Sequence, residues 1–348
     1  MKSAKFSIGL TADFYDENGN TLYEDIGLDV FEGFDHVVAS KIAGHTTEIT
    51  SNQLLGHNIA FVLSPSVTAD SIKGNREQLL AISRFGVGYD NIDVKSCTAN
   101  DVLLLIAQGA VNRSVAEATI TWMLALTHHV LKKNELVRTG RWNKRNLLMG
   151  SELRDKTLGI IGFGGIGKAL VELLNGFGMN RALVYDPQIT SEMYSKFDVT
   201  KVKKIDDLLM ESDFVSLHCP LNEETRGMIG ERQLKLMKSS AYLLNLSRGG
   251  IVDEDALFNA LINQKISGAA IDCFQEEPIL SPHRFGTLDN VILAPHSIAW
   301  TNELFRDIGR VACQSMLNLS LGKRPEGVVN PEVFESPSFN QKWSKYIT

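Results

Sequence analysis

The chain has 348 residues, of which 44% are hydrophobic and 22% charged, and its formal net charge at pH 7 is −6. This composition is typical of a globular protein, and the length allows more than one packed core. The negative charge excludes a general binder of nucleic acid or of anionic membranes, because such proteins need a basic surface.

The sequence also restricts location and redox state. It contains no apolar run of about 20 residues, the length that a membrane-spanning helix needs, and its first residues lack the apolar core of a signal peptide. The four cysteines form no CxxC pair. We therefore expect reduced thiols rather than disulfides or metal ligands, no metal site, and a cytoplasmic protein. The cysteines are Cys97, Cys219, Cys273 and Cys313.

Short apolar runs alternate with helix-like segments in two blocks. This alternation is typical of parallel sheets with helical crossovers. Roughly eleven predicted strands are too many for one comfortable sheet, so we expect two α/β domains with doubly wound parallel sheets. The first block contains FSIGL, HVVAS, IAFVLS, LLAISRFG and VLLLIA, and the second contains TLGIIG, RALVYD, DFVSLH, AYLLNL, GAAID and NVILA.

The segment TADFYDENGNTLYED directly follows the first apolar run, FSIGL. It is polar and predicts a solvated loop, although Phe14 and Tyr15 could shape a pocket. Between the blocks, apolar residues at helical spacing predict one helix over residues 114–138, which is apolar on more than one side. Such a helix is covered by more than its own domain. A domain junction, a dimer interface and a deep core position all remain open.

The second block opens with a glycine motif, GxGxxG, formed by Gly162, Gly164 and Gly167. It follows an apolar run and begins a helical pattern, as in dinucleotide-binding folds. Gly162 permits a tight turn, Gly164 lets the backbone approach a pyrophosphate, and Gly167 allows close contact between helix and strand. The N-terminus of the helix offers N–H groups and a positive dipole end to the phosphates.

Asp186 ends the next apolar run, about 20 residues beyond the glycines, where a carboxylate binds the adenosine ribose. This carboxylate would repel a 2′-phosphate, and the neighbouring Pro187 and Gln188 supply no cation. The sequence therefore predicts NAD rather than NADP as the cofactor.

Three later strands are each followed by a charged or titratable residue. Arg248 follows AYLLNL, Glu277 stands in the loop after GAAID, and His296 follows NVILAP. Because the carboxyl ends of parallel strands meet at one sheet edge, we expect these three side chains to converge beside the nicotinamide. The last long segment predicts one amphipathic helix that is ended by Gly322 and Pro325 and returns the chain to the first domain.

These motifs, in this order, resemble the D-isomer-specific 2-hydroxyacid dehydrogenase family over nearly the whole chain. The family includes phosphoglycerate, glycerate and D-lactate dehydrogenases. The resemblance implies a Rossmann cofactor domain, residues 109–300, inserted in a flavodoxin-like substrate domain formed by residues 1–108 and 301–348. It also implies an active site in the cleft between them and a homodimer built partly on the 114–138 helix. The motifs are RFGVGYDNID, NRSVAE, ELRDKTLGIIGFGGIGKAL, DFVSLHCPLNEETRGMIG, LLNLSRGGIVDEDAL, GAAIDCFQEEP and NVILAPHSIAW.

The activity that the resemblance implies is reversible, NAD-linked hydride transfer at C2 of a small 2-oxo acid or D-2-hydroxy acid. Glyoxylate, hydroxypyruvate and sugar-derived acids are the preferred substrates. Arg248 would hold the substrate carboxylate and polarise the keto oxygen. His296 would be the general acid in reduction and the base in oxidation, and Glu277 would pair with it and favour its charged form.

The resemblance implies further contacts of lower rank. The backbone N–H groups of Val87 and Gly88 would bind the substrate carboxylate, and Asp272 would meet the nicotinamide carboxamide. The remaining residues expected at the cofactor are Gly165, Ile166, Cys219, Pro220, Thr225, Ser247, Ser114 and Thr119.

One departure and two alternatives remain at this stage. Trp300 stands one position later than in family members that read PHIAW, which leaves its role open. Formate dehydrogenases usually carry Gln where Glu277 stands, but a phosphite-type dehydrogenase on the same fold is not excluded. A protein that senses NAD(H) without catalysis, similar to the transcriptional corepressors of this fold, is the alternative of a different class.

Overall fold

The structure, a computed structural model, describes residues 5–347. The chain divides into two compact units. The first unit consists of Met1–Val111 and Trp300–Thr348, and the second of Asn112–Ala299. The roles predicted for the two domains, substrate binding and cofactor binding, stay predictions.

Strands and helices alternate along most of the chain. The strands are β1 Phe6–Leu10, β2 Val37–Lys41, β3 Ile59–Val62, β4 Ala81–Arg84, β5 Leu103–Ile106, β6 Leu158–Ile161, β7 Ala182–Tyr185, β8 Val199–Lys201, β9 Phe214–Leu217, β10 Tyr242–Asn245, β11 Gly268–Ile271 and β12 Val291–Leu293. The α-helices are α1 Ser51–Leu54, α2 Ala69–Ile72, α3 Val94–Ala99, α4 Asn112–Thr127, α5 Val130–Arg138, α6 Gly165–Leu173, α7 Ser191–Ser195, α8 Ile205–Glu211, α9 Glu231–Leu236, α10 Glu254–Ile262, α11 Asn302–Ser320 and α12 Pro337–Trp343. Short 3₁₀ helices span Ala12–Phe14, Leu28–Phe31, Trp142–Leu147, Arg284–Thr287 and Pro331–Glu335.

The sheet of the first unit has five parallel strands in the order β2-β1-β3-β4-β5. This is the flavodoxin-like order, in which the chain reverses direction across the sheet beside its first strand. All four residues of β3 are buried, as expected for a parallel strand covered on both faces. The predicted flavodoxin-like fold of this part is confirmed.

The sheet of the second unit has seven parallel strands in the order β12-β11-β10-β9-β6-β7-β8. When the strands are numbered within this unit and read from β8, the order is 3-2-1-4-5-6-7. This is the Rossmann order 3-2-1-4-5-6 with one strand added, so the predicted Rossmann fold is confirmed. Strand β8 was missed because it has three residues, of which only Val199 is buried. A short edge strand leaves a weak sequence pattern.

Strand register brings the ends of six strands of this second sheet into line. Because the paired residues stand side by side, whatever follows each of them projects from the same edge of the sheet. The residues in this row are Leu293, Ile271, Asn245, Leu217, Ile161 and Tyr185.

The single helix predicted over residues 114–138 is wrong, because the structure contains two helices, α4 and α5. His129 separates them in the left-handed conformation, with φ of 53°. The carbonyl of Thr127 accepts the N–H of Ser151, from a later segment of the chain. The break is therefore a product of tertiary contacts, and no glycine or proline announces it in the sequence.

In the first unit, the polar N-terminal segment is not simply a solvated loop. Phe14 is fully buried and packs edge-on against Phe85, with 5.2 Å between ring centroids. The helix predicted near the C-terminus is α11, and Gly322 follows its end with φ of 73°. It belongs to the first unit, as predicted.

The C-terminal tail packs on the first unit through α12. Trp343 donates its indole N–H to the carbonyl of Leu319 at 2.8 Å. The Lys342 ammonium donates to the carbonyls of Leu79 and Asp101, each at 2.6 Å. Within residues 5–347, no helix combines the length and the apolar character needed to cross a bilayer.

Candidate active site

The glycine motif forms a tight connection between β6 and α6. Gly162 has φ of 90°, and a Cβ atom on it would lie 2.7 Å from the backbone nitrogen of Cys219. Only glycine fits there. Gly164 is the N-cap of α6 and makes no side-chain cap, and a Cβ atom on it would meet nothing within 4 Å. Open space therefore faces the first N–H groups of α6, as close approach of a phosphate requires.

The other two glycines of this connection are needed for packing. A Cβ atom on Gly167 would lie 2.9 Å from the carbonyl oxygen of Gly162. One on Gly165 would overlap the side chain of Asn112, because α4 and α6 pack closely. Ile166 is half-buried in the first turn of α6.

Asp186 follows β7 and is bonded to the glycine loop itself. Its Oδ2 accepts the N–H of Phe163 at 2.8 Å, and its Oδ1 accepts the N–H of Gln188 at 2.9 Å. An ionised carboxylate offers about four acceptor positions, so two remain for ribose hydroxyls. The open helix terminus and this carboxylate beside it fit a dinucleotide without a 2′-phosphate.

Two of the residues predicted to contact the cofactor, Thr119 and Ser114, lie on α4. Thr119 is fully buried, and its hydroxyl donates to the carbonyl of Val115 at 2.8 Å. Thr119 is thus enclosed in the packing of the second unit, and its contact with the cofactor stays a prediction. Ser114 is half-buried, and its contact with the cofactor stays a prediction.

The remaining predicted cofactor residues lie in two loops. In the first, the Thr225 hydroxyl donates to the carbonyl of Pro220 at 2.7 Å and accepts the N–H of Asn222 at 2.8 Å. Cys219 is half-buried at the start of this loop. In the second, the Ser247 hydroxyl donates to Oδ1 of Asn245 at 3.0 Å. These bonds shape the loops, and contact with a cofactor stays a prediction.

His296 and Glu277 form a hydrogen-bonded pair at the aligned edge of the second sheet. Nδ1 of His296 lies 2.7 Å from Oε2 of Glu277. Their side chains are 44% and 34% exposed, so the pair is accessible to a ligand. Oε1 of Glu277 accepts the N–H of Phe274 at 2.8 Å, which fixes the carboxylate. This arrangement orients the imidazole and balances a proton on it.

The electrostatics keep Glu277 ionised. Burial is the largest influence and raises the pKa of its carboxyl, but the hydrogen bonds from His296 and from the N–H of Phe274, together with nearby positive charge, bring the pKa below its ordinary value. The charge of Arg248 lowers it further, so Arg248 acts on the same carboxylate. Arg248 is half-buried, and its Nη1 donates to the carbonyl of Ser247 at 2.6 Å.

Asp272 holds the loop that carries His296, a role that the sequence analysis missed. Its carbonyl accepts the N–H of His296 at 2.8 Å. Its Oδ1 accepts the N–H groups of Ser297 at 2.9 Å and Ile298 at 3.3 Å. Burial raises the pKa of Asp272, and these two N–H groups oppose the rise. Because His296 has φ of 53°, this support offsets the cost of a left-handed residue without glycine.

In the first unit, Val87 and Gly88 follow β4 in the loop that Gly86 begins. Gly86 has φ of 136°. Within residues 5–347, the N–H groups of Val87 and Gly88 have no hydrogen-bond partner, so they are available to an anion; their contact with substrate stays a prediction. Trp300 is 53% exposed and lies edge-on to Phe305, with 5.1 Å between ring centroids.

Comparisons with known proteins agree with this arrangement. A family model described as the NAD binding domain of D-isomer specific 2-hydroxyacid dehydrogenases matches residues 120–297. The chain is 40% identical over 264 residues to D-3-phosphoglycerate dehydrogenase of Methanocaldococcus jannaschii, a match that covers 76% of this chain and 50% of that protein. The chain therefore spans about half the length of this relative.

Two further similarities cover nearly the whole chain. Glyoxylate reductase of Pyrococcus furiosus is 32% identical over 335 residues, which are 94% of this chain and 96% of that one. The NAD-complexed crystal structure of a D-isomer specific 2-hydroxyacid dehydrogenase from Lactobacillus delbrueckii ssp. bulgaricus superposes with a TM-score of 0.73 at 25% identity, covering 93% of this chain and all of the other.

Proposed function

The chain belongs to the D-isomer specific 2-hydroxyacid dehydrogenases, and on that basis we propose that it reduces a short 2-oxo acid, such as glyoxylate, to the 2-hydroxy acid. It is an NAD-dependent oxidoreductase. The observation that carries the proposal is the pair of His296 and Glu277, in which Nδ1 and Oε2 lie 2.7 Å apart. The pair lies at the same edge of the second sheet as the glycine motif. The charge of Arg248 acts on the same carboxylate.

The first task of the site is to hold an anionic substrate. Arg248 is suited to it, because a guanidinium presents a planar fork of N–H donors that matches a carboxylate. A cation beside the carbonyl oxygen of the substrate also stabilises the negative charge that develops there during reduction.

The second task is proton delivery. Bound NADH supplies the hydride that C2 of the substrate receives. His296 gives a proton from its imidazolium to the oxygen on C2, so no unprotonated alkoxide accumulates. Glu277 holds Nδ1 and leaves Nε2 as the nitrogen that faces the reaction. In the oxidative direction the same imidazole takes the proton back.

The substrate preference rests on the relatives. The glyoxylate reductase match extends over 96% of that protein, whereas the phosphoglycerate dehydrogenase match extends over half of its protein. Glyoxylate, hydroxypyruvate and short sugar-derived 2-oxo acids are therefore the substrates that we propose. Glycolate, the product from glyoxylate, has no stereocentre, and the products from the other acids would have the D configuration at C2.

We further propose a homodimer that uses the 130–149 segment, formed by α5 and the 3₁₀ helix that follows. This segment exposes several large apolar side chains, and contiguous exposed apolar surface is typical of protein interfaces. The exposed side chains are Val130, Leu131, Val137, Trp142, Leu147 and Met149.

The proposed reaction is tested by a substrate panel. The protein is mixed with NADH and glyoxylate, hydroxypyruvate or pyruvate, and in parallel with NAD and phosphite or formate. NADH consumption with a 2-oxo acid at a turnover on the order of 1 s⁻¹ or above supports the proposal. The His296→Ala variant, prepared in the same way, must lose that activity. NADH binding without turnover of any 2-oxo acid, or turnover of phosphite alone, would overturn it.

A further inference from the structure

The structure brings a third metal-ligating side chain to the acid–base pair. Cys273 lies two residues after the end of β11, is 2% exposed and takes no part in the proposed reaction. One ligand atom from each of Cys273, Glu277 and His296 lies within 4.8 Å of the other two. A thiol, a carboxylate and an imidazole thus meet at one point of the sheet edge.

We propose that Cys273, Glu277 and His296 form a binding site for a thiophilic divalent cation, with Zn²⁺ the best match, and that the bound cation blocks the acid–base pair. The binding itself is independent of the reaction, whereas the block rests on the proposed function.

The donor set selects the metal. Thiolate, imidazole and carboxylate are the three ligand types that Zn²⁺ takes in proteins, whereas Mg²⁺ and Ca²⁺ prefer oxygen donors alone. A tetrahedral Zn²⁺ with such ligands places the ligand atoms roughly 3.3–3.5 Å apart. Three protein ligands leave one position for water, as in zinc sites that remain open to solvent.

The required adjustment falls on the side chains that can make it. Cys273 is held in the packed interior, while the side chains of His296 and Glu277 are 44% and 34% exposed. Nδ1 of His296 and Oε2 of Glu277 lie 2.7 Å apart. For both atoms to bind one cation, this distance must increase, and an increase of less than about 1 Å is enough. The side chains of His296 and Glu277 would also close the remaining distance to the thiol of Cys273, which is at most 4.8 Å from either ligand atom.

Binding has a defined proton balance. The Cys273 thiol binds as thiolate and releases its proton to solvent. His296 binds through Nδ1 as neutral imidazole with its hydrogen on Nε2, so a protonated ring releases one further proton and a neutral ring releases none. No oxidation or reduction occurs. While the cation is bound through Nδ1, the ring stays a neutral imidazole with its one N–H on Nε2. It therefore cannot become the imidazolium that delivers the proton, and Nε2 has no lone pair with which to accept one.

The spacing of these residues explains why the sequence analysis predicted no metal ligand among the cysteines. Only Cys273 and Glu277 are close in the chain, and C-x₃-E is not a metal-binding signature. His296 joins them because β11 and β12 pair in parallel, with Ile271 opposite Leu293.

The binding is tested with Zn²⁺ alone on chelator-treated protein, by equilibrium dialysis. The wild type should bind one Zn²⁺ per chain at this site. The Cys273→Ala variant should bind it more than about 100-fold more weakly, since loss of an outer-shell partner alone costs up to that factor. Cys97→Ala, which removes another buried thiol, is the matched control and should bind as the wild type does. Equal affinity in the wild type and Cys273→Ala overturns the site.

Two further measurements separate the site from the reaction. Co²⁺ in place of Zn²⁺ should give thiolate-to-metal charge-transfer absorption in the wild type and in Cys97→Ala but not in Cys273→Ala or Cys273→Ser; the same absorption in all four overturns the site. Zn²⁺ should stop 2-oxo acid reduction by the wild type, reversibly with chelator, and leave Cys273→Ala active. Equal inhibition of both overturns the block. If Zn²⁺ binding depends on Cys273 but the protein turns over no 2-oxo acid, the metal site is supported and the proposed function is rejected.

Discussion

The carboxylate of Asp272 accepts the backbone N–H of Ser297, the residue that follows His296, at 2.9 Å. This bond, with the one from Ile298, fixes the loop that carries the imidazole. Asp272 is therefore a positioning residue, and its effect on the reaction passes through His296.

Replacing Asp272 tests this relationship. Asp272→Ala removes the acceptor of both N–H groups, and we expect kcat to fall about 100-fold, the cost of misplacing a catalytic group by about 1 Å. Asp272→Asn retains an acceptor oxygen and should lose much less. Steady-state kinetics give kcat, and fluorescence titration gives NADH affinity, which should not change. A large loss of NADH affinity with unchanged kcat would support the predicted contact with nicotinamide instead.

The Glu277→Gln substitution removes the charge of the carboxylate. Glutamine keeps one acceptor oxygen, which can face Nδ1 of His296 or the N–H of Phe274 but not both, and it lacks the negative charge that favours a protonated ring. We expect kcat for reduction to fall about 10- to 100-fold, less than the roughly 10²- to 10⁴-fold that general acid catalysis contributes, because the imidazole itself remains. The limb of the pH–rate profile at which reduction is lost should move to lower pH. An unchanged profile would remove Glu277 from proton delivery. Glu254→Gln, which changes the carboxylate that pairs with His283, is the control.

Asp186 should decide the choice between NAD and NADP. Asp186→Asn keeps an acceptor for the N–H of Phe163 and removes the charge that repels a 2′-phosphate. We expect NADH to bind about tenfold more weakly, a loss of about 1.4 kcal/mol, and NADPH to bind more tightly than to the wild type. Dissociation constants from fluorescence titration check this. A ratio of the two affinities that stays constant would exclude Asp186 from ribose recognition.

Lys342 should give the stability of the first unit a pH dependence. Burial lowers the pKa of its ammonium from 10.5 to about 8, so between these values the unfolded chain binds a proton that the folded chain does not. The free energy of unfolding should therefore rise with pH in this window. The neutral amine still has two N–H groups for the carbonyls of Leu79 and Asp101.

Urea unfolding of the wild type and of Lys342→Met, at about pH 7.5 and about pH 9.5, measures this contribution. The wild type should gain stability relative to the variant at the higher pH. Because every other titrating group is common to both proteins, their contributions cancel in the difference. A difference that does not depend on pH would show that Lys342 keeps its ordinary proton affinity in the folded chain.

The proposed dimer should depend on the 130–149 segment. The double substitution of Leu147→Lys and Met149→Lys places two charges on side chains that are 73% and 79% exposed. We expect a monomer by light scattering after gel filtration, because burying unpaired ammonium groups is costly. Leu280→Lys, at a 92% exposed residue outside the segment, should remain a dimer. A monomeric wild type, or a dimeric double variant, would refute this interface.

The sequence by itself determined the features that depend on local pattern. Buried parallel strands are continuous apolar runs, so both sheets were predicted, and the edge strand β8, with Val199 as its one buried residue, was not. Gly162 could be assigned because it belongs to a glycine motif that follows an apolar run and begins a helical pattern. Arg248, Glu277 and His296 could be grouped because each follows a strand of one parallel sheet, and the register of those strands aligns their ends.

Only the tertiary structure decided features that depend on contacts between distant segments. The break at His129 follows from Ser151 taking the carbonyl of Thr127, and Thr119 is enclosed because its helix is packed into the second unit. The support of His296 by Asp272, and the approach of Cys273 to the same pair, arise from the pairing of β11 with β12. Hydrogen bonds and packing between such segments leave no periodicity in the chain, because the residues involved are brought together by the fold and not by their spacing.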